Sequence, residues 1–141
     1  MDKIYINVRK DVSGALDRVE LTEAVARKLL DKWVKILHLE EWRIDFSWCV
    51  RARDMACKDA LGATTANAIS RDASIQLLDP IDHDPATFIP YDYEKTLVHE
   101  LLHLTFWDMD DTGDNLRDHL THVMVDRMAR ALVAAERSVD A

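Results

Sequence analysis

Hydrophobic and polar positions divide the first part of the chain into a short strand and an amphipathic helix. The opening KIYINV alternates in polarity and predicts a strand. Thr22 then offers a side-chain oxygen that can cap a helix extending to about His38. Apolar residues recur every three or four positions in this helix, which indicates one buried face. They are Val25, Leu29, Leu30, Trp33, Ile36 and Leu37.

The middle of the chain has the period of two that is typical of strands. In EWRIDFSWCV, the residues Trp42, Ile44, Phe46 and Trp48 fall on one face, and we expect all four tryptophans of the chain to belong to the core. The stretch LGATTANAISRDASIQLLD predicts two further strands around a turn, the second being ASIQLL. The stretch DPIDHDPATFIPYD holds all three prolines and predicts a loop.

Two helices are predicted after this loop. Asp92 can cap a helix over residues 93–107, which the acidic loop DMDDTGD would end. Asp114 can cap a last helix over residues 115–137. Helices that flank a run of short strands predict an α+β fold, and the length of 141 residues predicts a single domain over residues 1–141.

Composition and charge narrow the classes of partner. The formal net charge is −8, and an acidic surface repels phosphates, which disfavours nucleic acid as a ligand. The chain has no apolar run of membrane-spanning length and no apolar segment near its start, so we expect no membrane partner and a cytoplasmic location. In that reducing compartment Cys49 and Cys57 are expected to be free thiols. The oligomeric state stays open.

The segment TLVHELLHLT carries the candidate chemistry. His99 and His103 are four residues apart, so a helix presents both imidazoles on one side, where they can bind one zinc ion. Glu100 is rotated by about 100° from His99 and can reach a metal-bound water as a general base. The alternative is a core helix whose histidines hydrogen-bond to neighbouring groups.

A catalytic zinc ion needs a third protein ligand, and the last helix offers several. His122 follows His103 by nineteen residues and is the first candidate. Asp126, one turn after His122, could orient a ligand through a hydrogen bond or bind the metal itself. His119 and Asp118 are further alternatives.

The sequence TLVHELLHL, with a third ligand in a following helix, resembles the gluzincin branch of the zincin metallopeptidases. In that branch a glutamate stands where this chain has His122, and three histidines are also a sound zinc site. The order of elements over residues 42–135 is similar to that of minigluzincins, SprT-like proteases and small phage or bacterial metallopeptidase-like proteins. The resemblance implies a minimal zincin-like fold with a small, mostly antiparallel sheet, an N-terminal helix, the HELLH helix and a C-terminal helix.

The same resemblance implies a zinc-dependent peptidase with Zn²⁺ on His99, His103 and His122, and with Glu100 as the base. It also implies a peptide or protein substrate bound along an exposed strand before the motif helix, either SIQLL from Ser74 to Leu78 or the neighbouring ATTANAIS.

An oxyanion donor is also expected in such a site, with His119, Tyr91 and Tyr93 as candidates. Two other functions remain open at this point. One is a non-catalytic zinc-holding module that binds proteins, and the other is a structural protein without metal.

Overall fold

The chain forms three helices, an antiparallel pair of strands and a mixed three-stranded sheet, which confirms the α+β prediction. A computed structural model describes residues 3–9, 16–84, 86, 91–107 and 115–138. The predicted cap Asp114, the loop DMDDTGD and the middle of the proline-containing loop lie outside these residues. The helices and strands, in chain order, are β1 (Tyr5–Arg9), β2 (Leu16–Glu20), α1 (Glu23–Ile36), β3 (Arg43–Val50), β4 (Gly62–Asn67), β5 (Asp72–Leu78), α2 (Tyr93–Thr105) and α3 (Asn115–Arg137).

Local signals in the sequence set the helix boundaries. Thr22 and Asp92 cap α1 and α2 as predicted: Thr22 Oγ1 lies 3.3 Å from the backbone nitrogen of Val25, and Asp92 Oδ1 lies 3.2 Å from that of Lys95. Helix α1 ends slightly earlier than predicted because His38 has a φ of 56°, a left-handed conformation that stops a helix. Helix α2 ends two residues before the predicted boundary, and α3 has the predicted bounds.

The three-stranded sheet has the order β3-β5-β4, with β5 parallel to β3 and antiparallel to β4. The expectation that Ser74 to Leu78 forms an exposed edge was therefore wrong, because these residues lie in the central strand. Its residues are mostly buried, as a strand between two partners requires. The neighbouring ATTANAIS supplies β4, and no other described strand pairs with the second edge of β4.

Helix α2 lies at the centre of the molecule and packs against α1, α3, β4 and β5. Its apolar residues face these neighbours, so the helix that carries the HELLH motif is buried on most sides. Trp33 and Trp42 are buried, and Trp48 and Trp107 pack against the core, as expected. The largest fully buried apolar side chains are Trp33, Ile75, Leu77, Leu97, Leu101, Leu102, Val98 and Val125.

Two further expectations concern thiols and membranes. Cys49, which is half-buried, and Cys57, which is exposed, are both free cysteines. Among the described helices, none has the length and apolar character needed to cross a membrane.

Candidate metal centre

The packing of α3 on α2 brings three histidines together. His99 and His103 project from successive turns of α2, and His122 faces them from α3. The ring centroids of His99 and His103 are 5.0 Å apart, as are those of His99 and His122, and those of His103 and His122 are 5.7 Å apart. Asp118 and His119, also on α3, lie outside this group.

These three side chains could hold a metal ion. One ring nitrogen from each histidine lies within 4.8 Å of the others. Three ligands of a tetrahedral ion at about 2.1 Å would be about 3.4 Å apart, so small side-chain rotations bring the nitrogens to binding distance. Burial, together with the neighbouring His103 and His122, lowers the pKa of His99 to about 4. His99 is therefore neutral at physiological pH, which is the form that binds metals.

Asp126 stands behind His99 rather than among the metal-binding atoms. Its Oδ1 lies 3.4 Å from His99 Nδ1 and 2.9 Å from Lys95 Nζ, and its Oδ2 lies 3.3 Å from Arg130 Nε. A carboxylate at Nδ1 favours the tautomer with the proton on that atom and leaves Nε2 free to bind a metal. Of the two roles predicted for Asp126, the geometry supports the orienting one.

Glu100 is buried beside the histidines, with only 5% of its surface exposed. Its Oε1 accepts a hydrogen bond of 2.8 Å from the hydroxyl group of Thr64, on strand β4. Burial raises the pKa of Glu100 to about 7, although the hydrogen bond from Thr64 acts to lower it. The carboxyl group can therefore both accept and donate a proton near neutral pH.

A cleft of about 570 Å³ joins the histidines, Glu100 and strand β4. The start of β4, helix α2 and helix α3 contribute its walls, and Trp107 also lines it. The residues that line it are Cys57, Asp59, Ala60, Leu61, Gly62, Ala63, Thr64, Lys95, Thr96, His99, Glu100, His103, Trp107, His122 and Asp126.

The three candidates for an oxyanion donor do not line this cleft. The Tyr93 hydroxyl donates to the carbonyl oxygen of Trp48 at 2.6 Å, and the Tyr91 hydroxyl donates to that of Leu78 at 2.5 Å. Both tyrosines thus fasten the start of α2 to the sheet. His119 is exposed on α3. The hydroxyl groups of Tyr91 and Tyr93 are thus engaged with the sheet, and the identity of an oxyanion donor stays a prediction.

Sequence reasoning missed three cleft residues that contact Glu100 or Asp126. Lys95 lies one turn before His99 on the same side of α2, and this spacing of four was a usable signal. Gly62 and Thr64 contact Glu100 from a different element, and no local pattern in the sequence pairs them with it.

A second cavity, of about 800 Å³, adjoins the cleft along the segment 57–61. Its walls come from the loops that follow β3 and β5, which are joined by two hydrogen bonds between Arg51 and Asp82 of 2.8 and 2.9 Å. None of the predicted site residues lines it.

Comparisons with known proteins identified no relative of this chain. A scan of protein-family models, a search of curated proteins and a search of solved structures each found no match to this chain. The geometry of the cleft is therefore the evidence for the function of this chain.

Proposed function

We propose that this chain is a zinc-dependent metallopeptidase in which His99, His103 and His122 hold the metal and Glu100 is the general base. One observation carries the proposal: three histidine ligand groups and a buried carboxyl group share one cleft beside the edge of β4 that no described strand covers, called the free edge below. If the histidines were ordinary residues of a core helix, nothing would require side chains from two helices to meet a buried carboxyl group beside a strand edge.

The donor set suits zinc. Imidazole nitrogens are typical ligands of zinc and related transition metals, whereas magnesium and calcium prefer oxygen. Three protein ligands also match catalytic zinc sites, which leave one position open. A bound zinc ion would polarise a substrate carbonyl group and lower the pKa of a water molecule to about 7.

Glu100 supplies the proton transfers. Its carboxylate accepts a proton from the attacking water, and the resulting carboxylic acid donates that proton to the leaving amine. A pKa of about 7 suits both steps, because neither protonation state is strongly favoured at neutral pH. Asp126 holds the ring of His99 in place during these steps.

The free edge of β4 is the proposed binding surface for an extended peptide. An added strand would pair with main-chain groups that no described strand uses, and main-chain hydrogen bonds give affinity without a particular sequence. Residues from the start of β4 line the cleft, so a peptide paired there would pass beside Glu100 and the histidines.

The proposal is tested by comparing wild type with Glu100→Gln in zinc content and in hydrolysis of a fluorescence-quenched peptide library. Gln keeps the size of Glu100 but cannot act as a base, so we expect zinc to stay bound and hydrolysis to fall by about 10²–10⁴-fold. Equal hydrolysis by both proteins would overturn the role of Glu100.

The same experiment separates the non-catalytic module from the peptidase. A zinc-holding binding module retains the metal and captures peptides from the library, but wild type and Glu100→Gln both leave them intact. A structural protein without metal holds no zinc in either form.

A further inference from the structure

We propose that Gly62 and Thr64 are positioning residues that hold the carboxylate of Glu100 and link it to a peptide paired with β4. This inference rests on the proposed peptidase function. Both residues lie on the edge strand β4, and neither metal binding nor proton transfer in itself requires them.

Thr64 fixes one oxygen of the carboxylate. Its hydroxyl oxygen lies 2.8 Å from Glu100 Oε1 and 3.3 Å from the main-chain oxygen of Glu100. A hydroxyl has one hydrogen to donate, and the shorter contact with a carboxylate is the stronger of the two. Among the described residues, none donates a hydrogen bond to Oε2, so this oxygen keeps its lone pairs for a proton.

Gly62 provides the space that the Glu100 side chain occupies. A Cβ atom at position 62 would lie 2.8 Å from Glu100 Cγ, 2.9 Å from Oε2 and 3.0 Å from Cδ. These distances are too short for contacts between heavy atoms, so any side chain here would displace Glu100. The backbone of Gly62 is not left-handed, so space rather than backbone conformation requires glycine.

Gly62 and Thr64 also present main-chain groups to the free edge. The backbone nitrogen of Leu78 donates to the carbonyl oxygen of Leu61, which makes these two a hydrogen-bonded pair across β4 and β5. Such pairs alternate along antiparallel strands, so Ala63 and Thr65 direct their main-chain groups to β5. Gly62 and Thr64 direct theirs to the free edge.

The two positions therefore act in two directions from one strand. Their main-chain groups lie where an added peptide strand would bind, while the hydroxyl of Thr64 binds the base and the lack of a side chain at Gly62 makes room for it. A peptide that pairs with β4 is thereby placed in register with Glu100, and orientation of this kind is a large part of catalysis.

The test compares Thr64→Val, which lacks the hydroxyl group, with Thr64→Ser, which keeps it, and with Gly62→Ala. Each change is made in wild type and in Glu100→Ala, and the readouts are kcat on a fluorogenic peptide, zinc content and the urea midpoint of the metal-free protein. We expect about ten- to a hundredfold lower kcat for Thr64→Val and Gly62→Ala, normal zinc, and recovery to within about threefold in Thr64→Ser.

The double variants separate positioning from general stability. Thr64→Val should lower the urea midpoint less in the Glu100→Ala background than in wild type, because Glu100→Ala has already removed the hydrogen-bond partner of Thr64. Equal drops in both backgrounds, or wild-type kcat in Thr64→Val, would overturn the positioning role and leave the peptidase intact. If wild type binds zinc but hydrolyses no peptide, the proposed peptidase function is overturned, and the catalytic role of Gly62 and Thr64 with it.

Discussion

A buried glutamate fixes the start of the helix that carries the histidines. Glu94, with 1% of its surface exposed, accepts a hydrogen bond of 2.8 Å from Trp33 Nε1 on α1. It also lies 3.4 Å from Lys32 Nζ and accepts a hydrogen bond of 3.2 Å from Arg137 Nε, at the end of α3. A single carboxylate thus connects α2 with both neighbouring helices.

Replacing Arg137 by Met should destabilise the protein, because it leaves the buried charge of Glu94 with fewer partners and also removes the hydrogen bonds of 2.7 and 2.8 Å that Arg137 donates to Asp92. Removing one member of a buried ion pair costs about 3–5 kcal/mol, and since Lys32 and Trp33 remain in place we expect about 3 kcal/mol. For a chain of this length, that loss lowers Tm by roughly 6–12 °C. The assay is urea and thermal unfolding followed by circular dichroism, with a chelator present so that metal binding does not contribute.

Arg43→Met is the matched control, since it breaks an ion pair that is equally short but exposed. Arg43 Nε lies 2.7 Å from Asp72 Oδ1, yet 76% of the Arg43 side chain is exposed. Exposed pairs contribute little, so the control should lose less than about 1 kcal/mol. Equal losses in the two variants, or less than about 1 kcal/mol for Arg137→Met, would refute the argument that burial makes the contacts of Arg137 with Glu94 and Asp92 worth more than an exposed ion pair.

Three further predictions concern the cleft. Because burial raises the pKa of Glu100 from 4.5 to about 7, the folded metal-free protein keeps this proton where the unfolded chain has lost it, so its stability falls as the pH rises from about 4.5 to 7 and stays low above 7. In urea titrations, the free energy of unfolding of Glu100→Gln should therefore exceed that of wild type at pH 8, and the two should be equal near pH 4.5. The same difference at both pH values would contradict the raised pKa of Glu100. Asp126→Asn should weaken zinc binding by about 10–100-fold in a competition titration, and unchanged affinity would rule out its orienting role. Ala66→Pro should keep the fold but abolish peptide capture, because the backbone nitrogen of Ala66 faces the free edge. Thr65→Pro is the control and should lose the fold, because the backbone nitrogen of Thr65 faces β5. Peptide capture retained by Ala66→Pro would exclude the free edge of β4 as the binding surface.

Features that depend on local sequence were predicted well. The caps Thr22 and Asp92 and the bounds of α3 follow from side-chain hydrogen bonding and from hydrophobic periodicity within a few residues. The spacing of His99 and His103 belongs to the same class, since the geometry of one helix places both rings on one side.

Features that depend on packing between distant segments were predicted less well. Alternation in SIQLL indicated a strand but not its place in the sheet, because the order of strands depends on the parallel pairing of β5 with β3. Strand β2, with the sequence LDRVE, was missed because its apolar pattern is weak and β1 is its one partner among the described strands. His122 could be proposed only from its spacing, because its approach to His99 depends on how α3 packs on α2.

His99, His103 and His122, from two helices, are proposed to form one metal centre. The most direct measurement is the zinc content per chain, by elemental analysis of protein purified without added metal, for wild type and for His122→Ala. We predict about one zinc ion per chain in wild type and a marked loss in His122→Ala, because two histidines hold zinc far more weakly than three. Wild-type protein that neither contains nor takes up zinc, or zinc content unaffected by the loss of His122, would show that these three histidines do not form a zinc site.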